Sequence, residues 1–179
     1  MQDAARLEEE ATVIEYISPV LVPGMLQCQQ YAELVFRYGQ PLETPAEISR
    51  LAAARSSRYE HLRQHRDPWV TAVFPVQALT AVPEQVRRAQ SAHLAALVGA
   101  GRVSIHLVPE GTVLVGITSP ILMVRLADGG RAGSSDHISG NVLLDDQVDW
   151  ARLDELSKRA FGLALPADQS LTLLGDLAK

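Results

Sequence analysis

Residues 102–126 read R-V-S-I-H-L-V-P-E-G-T-V-L-V-G-I-T-S-P-I-L-M-V-R-L. This stretch decides the fold class. Val103, Ile105 and Leu107 alternate with Ser104, His106 and Val108, the period of two expected of a half-buried strand. Pro109 to Thr112 interrupts the run with turn residues. Val113 to Ile117 and Ile121 to Leu126 are two further apolar runs, and Pro120 suits a strand start or a bulge. Three strands here, with helical patterns on both sides, predict an α+β fold: a small, mostly antiparallel central sheet flanked by N-terminal and C-terminal helices.

Upstream, Asp3 to Ile17 has a helical pattern, with Ala4, Leu7, Ala11 and Ile14 on one stripe. Glu8, Glu9 and Glu10 put negative charge in its early part. Pro23-Gly24 is a turn, after which Met25 to Phe36 is helical again. Thr44-Pro45-Ala46-Glu47 carries a cap, a first-turn proline and the acid of a capping box. The helix that it opens should run to about Arg63, with Ile48, Leu51, Ala52 and Arg55 at helical spacing. Trp69 to Val76 reads as a strand, and Pro83 to Leu97 as a helix.

Downstream, D-G-G-R-A-G-S-S-D predicts a flexible loop over 127–137. Ile138 and Val142 to Leu144 suit short strands, and Asp145-Asp146 caps a helix over Gln147–Phe161. A last helix starts at Pro166 or Asp168 and buries Leu171, Leu174 and Leu177. With no internal repeat, residues 1–179 are expected to form one domain.

The net charge of −5 argues against a nucleic-acid surface. Arg50, Arg55, Arg58, His61, Arg63, His65 and Arg66 form the densest basic cluster, read as a solvated helix face. A lone cysteine, Cys28, allows no internal disulfide and fits a reducing compartment. Residues 1–10 carry no signal peptide, and no apolar run reaches the roughly 20 residues that span a bilayer. The expectation is a cytoplasmic protein away from membranes.

No phosphate-cradle, nucleophile-elbow or zinc spacing occurs, so no cofactor and no metal are expected. His61 and His65, four apart, read as a surface pair. His106 and Glu110 could form a proton-moving pair if both faced a cavity; the plainer alternative puts His106 on the wet face of the sheet. Asp136 belongs to the glycine-rich segment, where functional polar residues often collect. Cys28 is either a nucleophile near a helix N-terminus or a buried thiol. Tyr16, Gln27 and Tyr31 gather around the Pro23-Gly24 turn, to line a pocket or to pack helices.

Val22, Pro23, Gly24, Leu26, Gln27, Tyr31 and Ala32 match the pattern V-P-G-L-L-Q-T, two residues, Y-A, with Met25 for Leu and Cys28 for Thr. Arg55 and Arg58 fit an R-x-x-R element, Gln90 and Leu94 a Q-L-x-x-L element, and Val103 to Pro109 a strand ending V-x-P. Asp136 with Gly140 looks like a shortened E-x-x-x-G, and Ala164, Leu165 and Ser170 fit a final A-L…S. In this the chain resembles the C-terminal effector domain of actinobacterial Xre-type helix-turn-helix, antitoxin-like transcriptional regulators. In that family the domain normally follows the helix-turn-helix, and this chain starts where that part should have ended.

The resemblance implies a stand-alone regulatory effector domain without direct DNA binding. It would bind a small-molecule ligand or a small protein partner, as a homodimer or as a heterodimer with a regulator. Tyr16, Gln27, Tyr31 and His106 are the ligand-binding candidates. The alternative is a cofactor-independent enzyme of secondary metabolism (a cyclase, isomerase or hydrolytic step) in a repurposed pocket, with His106, Glu110 and Asp136 as catalytic candidates.

Overall fold

The computed structural model describes residues 2–137, 140–144 and 146–179. In chain order its elements are α1 (Gln2–Glu10), β1 (Ala11–Ile17), a 3-10 turn (Gly24–Leu26), α2 (Gln29–Gly39), α3 (Pro45–Ser56), α4 (Arg58–His65), β2 (Trp69–Pro75) and α5 (Gln77–Thr80). There follow α6 (Glu84–Gly99), β3 (Val103–Val108), β4 (Ile121–Leu126), β5 (Arg131–His137), β6 (Gly140–Leu144), α7 (Gln147–Leu163) and α8 (Ala167–Leu177). The six strands make one sheet in the order β3-β2-β1-β4-β5-β6. The pairs β1/β2 and β2/β3 are parallel and the other three antiparallel. The fold is therefore α+β with a mixed, mostly antiparallel sheet between N-terminal and C-terminal helices, as the sequence predicts.

The sheet separates two apolar layers. Ile14, Ala72, Phe74, Ile105, Leu107, Leu122 and Val124 face one layer, with Tyr31 of α2, Leu62 of α4, Leu94 of α6 and Leu174 of α8. Ile17, Val73, Val108, Ile121 and Met123 face the other, against Leu153 and Ala160 of α7. Successive strand residues point to opposite faces, so this assignment fixes which polar side chains can meet.

Several expectations need correction. Leu171, expected on the buried side of the last helix, is 38% exposed, and the helix expected over Met25–Phe36 is the 3-10 turn followed by α2 from Gln29. The helix expected over Asp3–Ile17 ends at Glu10, and Ala11–Ile17 is a central strand. Thr12-Val13-Ile14 is a β-branched run, and pairing on both edges, parallel to β2 and antiparallel to β4, overrides the helical stripe. Val113–Ile117 is not a strand: Leu114 and Ile117 are buried between exposed neighbours, but Gly116 has φ 93° and Ile117 N donates to Leu114 O. This segment carries the chain from the edge strand β3 across three strand spacings, about 14 Å, to β4. The expected loop over 127–137 is a tight turn followed by β5. Leu126 N donates to Gly130 O, Asp128 Oδ1 accepts from Gly130 N at 2.8 Å, and β5 then pairs with both β4 and β6. The helix opened by Pro45 breaks at Ser57 into α3 and α4.

The expected caps form in part. Thr44 Oγ1 accepts from Glu47 N at 3.2 Å, while the Glu47 carboxylate turns to Arg50 instead of completing the box. Asp146 Oδ1 accepts from Asp149 N at 2.7 Å and caps α7. Ile138 and Asp145 lie outside the described residues.

Candidate functional site

The Val22–Tyr31 segment is built as a fixed wall. Leu26 N donates to Pro23 O and Gln27 N to Gly24 O, closing the 3-10 turn. Gln27 is buried, and its Nε2 donates to Val22 O at 2.8 Å. The buried Gln90 side chain clamps the turn to α6: its Oε1 accepts from Cys28 N and its Nε2 donates to Leu26 O, both at 2.8 Å. The Tyr31 hydroxyl donates to Ala78 O at 2.8 Å and accepts from Val22 N at 3.4 Å. Backbone groups that would otherwise lie unpaired in the interior are satisfied by three side chains, which tie the 3-10 turn to its neighbours.

This wall borders a half-open cavity of about 300 Å³ against the sheet. Val22, Met25, Val35 and Leu122 give it apolar surface. Its polar groups come from Glu8 of α1, Tyr16 of β1, Gln27, Arg55 of α3, Arg58 of α4, and Ser134 and Asp136 of β5. Two arginines and two carboxylates thus share a small space. Glu8 is 3% exposed. Arg58 Nε lies 2.7 Å from its Oε2, a close ion pair across the pocket edge. Burial pushes the Glu8 carboxyl up to about 7, Arg58 opposes the rise, and Asp136 adds to it. Burial also pushes the Tyr16 phenol up, helped by Asp136 and Glu8, so Tyr16 is a neutral hydroxyl rather than a base. Arg55 stacks over the Phe36 ring at 3.9 Å, and its Nη1 donates to Gln27 Oε1 at a long 3.4 Å. Among the described residues no carboxylate makes an ion pair with Arg55, and burial works against its charge.

Of the residues expected at a site, Tyr16, Gln27 and Asp136 line this cavity. Tyr31 does not; it is fully buried behind the wall, where it braces Val22 and α5. His106 and Glu110 are not brought to Asp136. In β3, Ile105 and Leu107 face the cavity side of the sheet, so His106 faces α7. Its Nδ1 contacts Leu165 O at 3.1 Å, its Nε2 contacts Ser104 Oγ at 3.2 Å, and its ring meets Phe161 edge-on. Glu110 is exposed and accepts from Thr80 Oγ1. Cys28 precedes α2, but burial raises its thiol, which makes it a poor nucleophile. His61 and His65 stack at the surface, and among the described residues no group of three His, Cys, Asp or Glu is placed to hold a metal ion.

The polar cavity residues Glu8, Arg55, Arg58 and Ser134 escaped the sequence reading of function. Arg55 does carry a signal, because it shares the apolar stripe of Ile48, Leu51 and Ala52. A cation at an inward position of a helix needs an inward partner. The rest of the basic cluster is a solvated face. Arg50 pairs with Glu47 and Arg63 with Glu60, each three residues apart and exposed.

The family model described as Domain of unknown function (DUF5753) matches residues 1–176. The chain belongs to this family. No curated protein and no solved structure matches it. Several short motifs of this DUF5753 chain that lie far apart in sequence meet at one place: Val22, Pro23, Gly24 and Gln27, then Arg55 and Arg58, then Asp136 all line the cavity. Gln90 and Tyr31 hold its wall from behind. Among the described residues no helix is long and apolar enough to cross a membrane.

Proposed function

We propose that this DUF5753 domain is a regulatory effector module that binds a small polar molecule in the cavity against β1, β4 and β5. One observation carries this reading. The part-buried Arg55 guanidinium faces this space with no carboxylate partner among the described residues, beside the buried Glu8 carboxyl that Arg58 alone offsets. Buried polar groups left in this state are destabilising, and a ligand that satisfies them converts that destabilisation into affinity. The volume sits at the lower end of the roughly 300–1,000 Å³ range of small-molecule sites. The regulatory part of the reading comes from the resemblance to effector domains of helix-turn-helix regulators. Absence of direct nucleic-acid contact fits the net charge of −5 and the pairing of exposed arginines with glutamates. A catalytic role for His106, Glu110 and Asp136 acting together has no supporting geometry, since they lie on different faces of the sheet or outside it.

The test is direct. Protein purified under native conditions is denatured and the released small molecules are identified by mass spectrometry; in parallel, thermal unfolding is followed against a metabolite panel. A ligand should raise the melting temperature of the wild type and of Val115→Ser, an exposed position far along the chain, but not of Arg55→Lys. A panel in which every stabilising compound acts equally on Arg55→Lys would falsify the cavity as the binding site.

A further inference from the structure

The charges around the cavity are balanced but not mutually satisfied. Arg58 touches Glu8, whereas Arg55 and Asp136 line the same space with no ion-pair contact among the described residues. The Arg55 guanidinium has five N–H donors, and Gln27 Oε1 takes one of them weakly, at 3.4 Å. Gln27 is itself anchored by Val22 O, so it orients the guanidinium rather than neutralising it. The Phe36 ring fixes the opposite face of the group. What remains open on Arg55 is an edge suited to a carboxylate, which guanidinium recognises with two parallel bonds. Glu8 and Asp136 present the reverse need. The buried Glu8 carboxyl has Arg58 on one oxygen only, and the Asp136 carboxylate, at the exposed rim, makes no ion pair among the described residues. Two acids that face one small space favour a cation between them.

A simple cation or a simple anion would meet one half of this arrangement and leave a surplus charge in the pocket. A molecule with both charges would meet both halves and leave the sum unchanged. Resting on the ligand-binding reading above, we propose that the cavity takes a small zwitterion of the amino-acid kind, its carboxylate on Arg55, its ammonium between Glu8 and Asp136, and its apolar body against Val22, Met25 and Leu122. Gln27 is the positioning residue for Arg55.

Matched probes separate the two head groups on the wild-type chain, with no variant required. L-leucine has both charges, 3-methylbutylamine lacks the carboxylate, and 4-methylpentanoate lacks the ammonium. L-phenylalanine, 2-phenylethylamine and 3-phenylpropanoate repeat the comparison on a larger body. Binding is read by calorimetry and by ligand-detected nuclear magnetic resonance. At least one zwitterion should bind about tenfold or more tightly than both of its truncated forms, as expected when a charge-assisted contact is lost. Two variants whose thermal unfolding confirms that they fold then assign the ends. Arg55→Lys should weaken the zwitterion and the acid but not the amine, and Asp136→Asn should weaken the zwitterion and the amine but not the acid. Gln27→Leu should act like Arg55→Lys, with its loss confined to carboxylate-bearing probes.

An amine or an acid that binds as well as its zwitterion overturns this proposal and leaves the cavity a ligand site of another class. The proposal is overturned in the same way if a stabilising compound from the metabolite panel depends on Arg55 and carries only one charge. If neither the probes nor the panel bind in an Arg55-dependent way, both the proposal and the reading beneath it fall.

Discussion

Arg58 Nε lies 2.7 Å from Glu8 Oε2 and joins the first residue of α4 to the helix that precedes the central strand. The contact is asymmetric: the arginine side chain is 36% exposed and the glutamate 4%. Water can still reach the cation, whereas the acid depends on its surroundings. That asymmetry makes Glu8 the most pH-sensitive element of the cavity.

Burial holds the Glu8 carboxyl at about 7 against an ordinary 4.5. The folded state therefore binds this proton more tightly than the unfolded state. Its contribution to stability is full below pH 4.5 and is lost as pH rises to 7, with a total change on the order of 3 kcal/mol. The groups that face it are Arg58 from α4, which opposes the rise, Asp136 from β5 and Glu9 from its own helix, which reinforce it, and the neutral Tyr16 of β1. Urea unfolding from pH 4 to 8.5 should show the stability of the wild type falling relative to Glu8→Gln across this window. Parallel profiles for the two proteins would remove the basis for a strained buried acid.

Tyr16 and Tyr31 look equivalent in sequence but do different work. Tyr31→Phe deletes a donor to Ala78 O and an acceptor for Val22 N in a fully buried setting. It should lower stability by about 1–2 kcal/mol and leave the affinity of any cavity ligand within about twofold of wild type. Tyr16→Phe removes a hydroxyl with no hydrogen bond among the described residues. Its stability should stay within about 0.5 kcal/mol of wild type, while ligand affinity changes. Chemical denaturation and calorimetry on the same pair decide this, and an inverted pattern would place the site on the wrong side of the Val22–Gln27 turn.

His106→Ala should destabilise the fold by about 1–2 kcal/mol without affecting binding. The ring is held by Leu165 O, Ser104 Oγ and the edge of Phe161, all on the α7 side of the sheet, so its removal opens a gap there and frees the β3–α7 contact. Loss of ligand affinity with unchanged stability would instead mark it as a site residue that acts through the sheet.

These contrasts show which features are legible in the chain. Val103–Val108 and Ile121–Leu126 declare themselves because each alternates or is continuously apolar over a full strand length and is bounded by turn residues. Ala11–Ile17 does not. Its Ala11 and Ile14 continue the stripe of α1, and its strand character depends on partners at Trp69–Val73 and Ile121–Leu126 that local sequence cannot display. The cavity was half legible. Tyr16, Gln27 and Asp136 stand out as polar or aromatic groups beside turns and glycines. Glu8 hides in a run of three glutamates and Arg55 in a basic cluster, because composition does not say which member of a charged run points inward. The one usable clue was position, Arg55 on an apolar stripe.

Gly133 shows how composition misleads in the other direction. The run of glycines and serines at 127–137 suggests flexibility, yet Gly133 lies in β5 because of what packs over it. A Cβ there would stand 2.6 Å from Leu153 Cδ1 and 3.4 Å from Leu122 O. Leu153 is a buried residue of α7, so it has little room to swing away, and α7 would have to lift from the sheet. Gly133→Ala should therefore destabilise by about 1–3 kcal/mol. Leu153→Ala should cost about 2–4 kcal/mol through the cavity it leaves, and the double variant should be less destabilised than the sum of the two by about 1 kcal/mol or more, since the removed side chain is the one that obstructs the new methyl. Gly162→Ala in the same helix meets nothing within 4 Å and should stabilise by about 0.5–1 kcal/mol through helix propensity. Urea denaturation of these four variants separates steric occupancy from backbone entropy. If Gly133→Ala proved as stable as Gly162→Ala and additive with Leu153→Ala, the close seat of α7 on β5 would have to be abandoned.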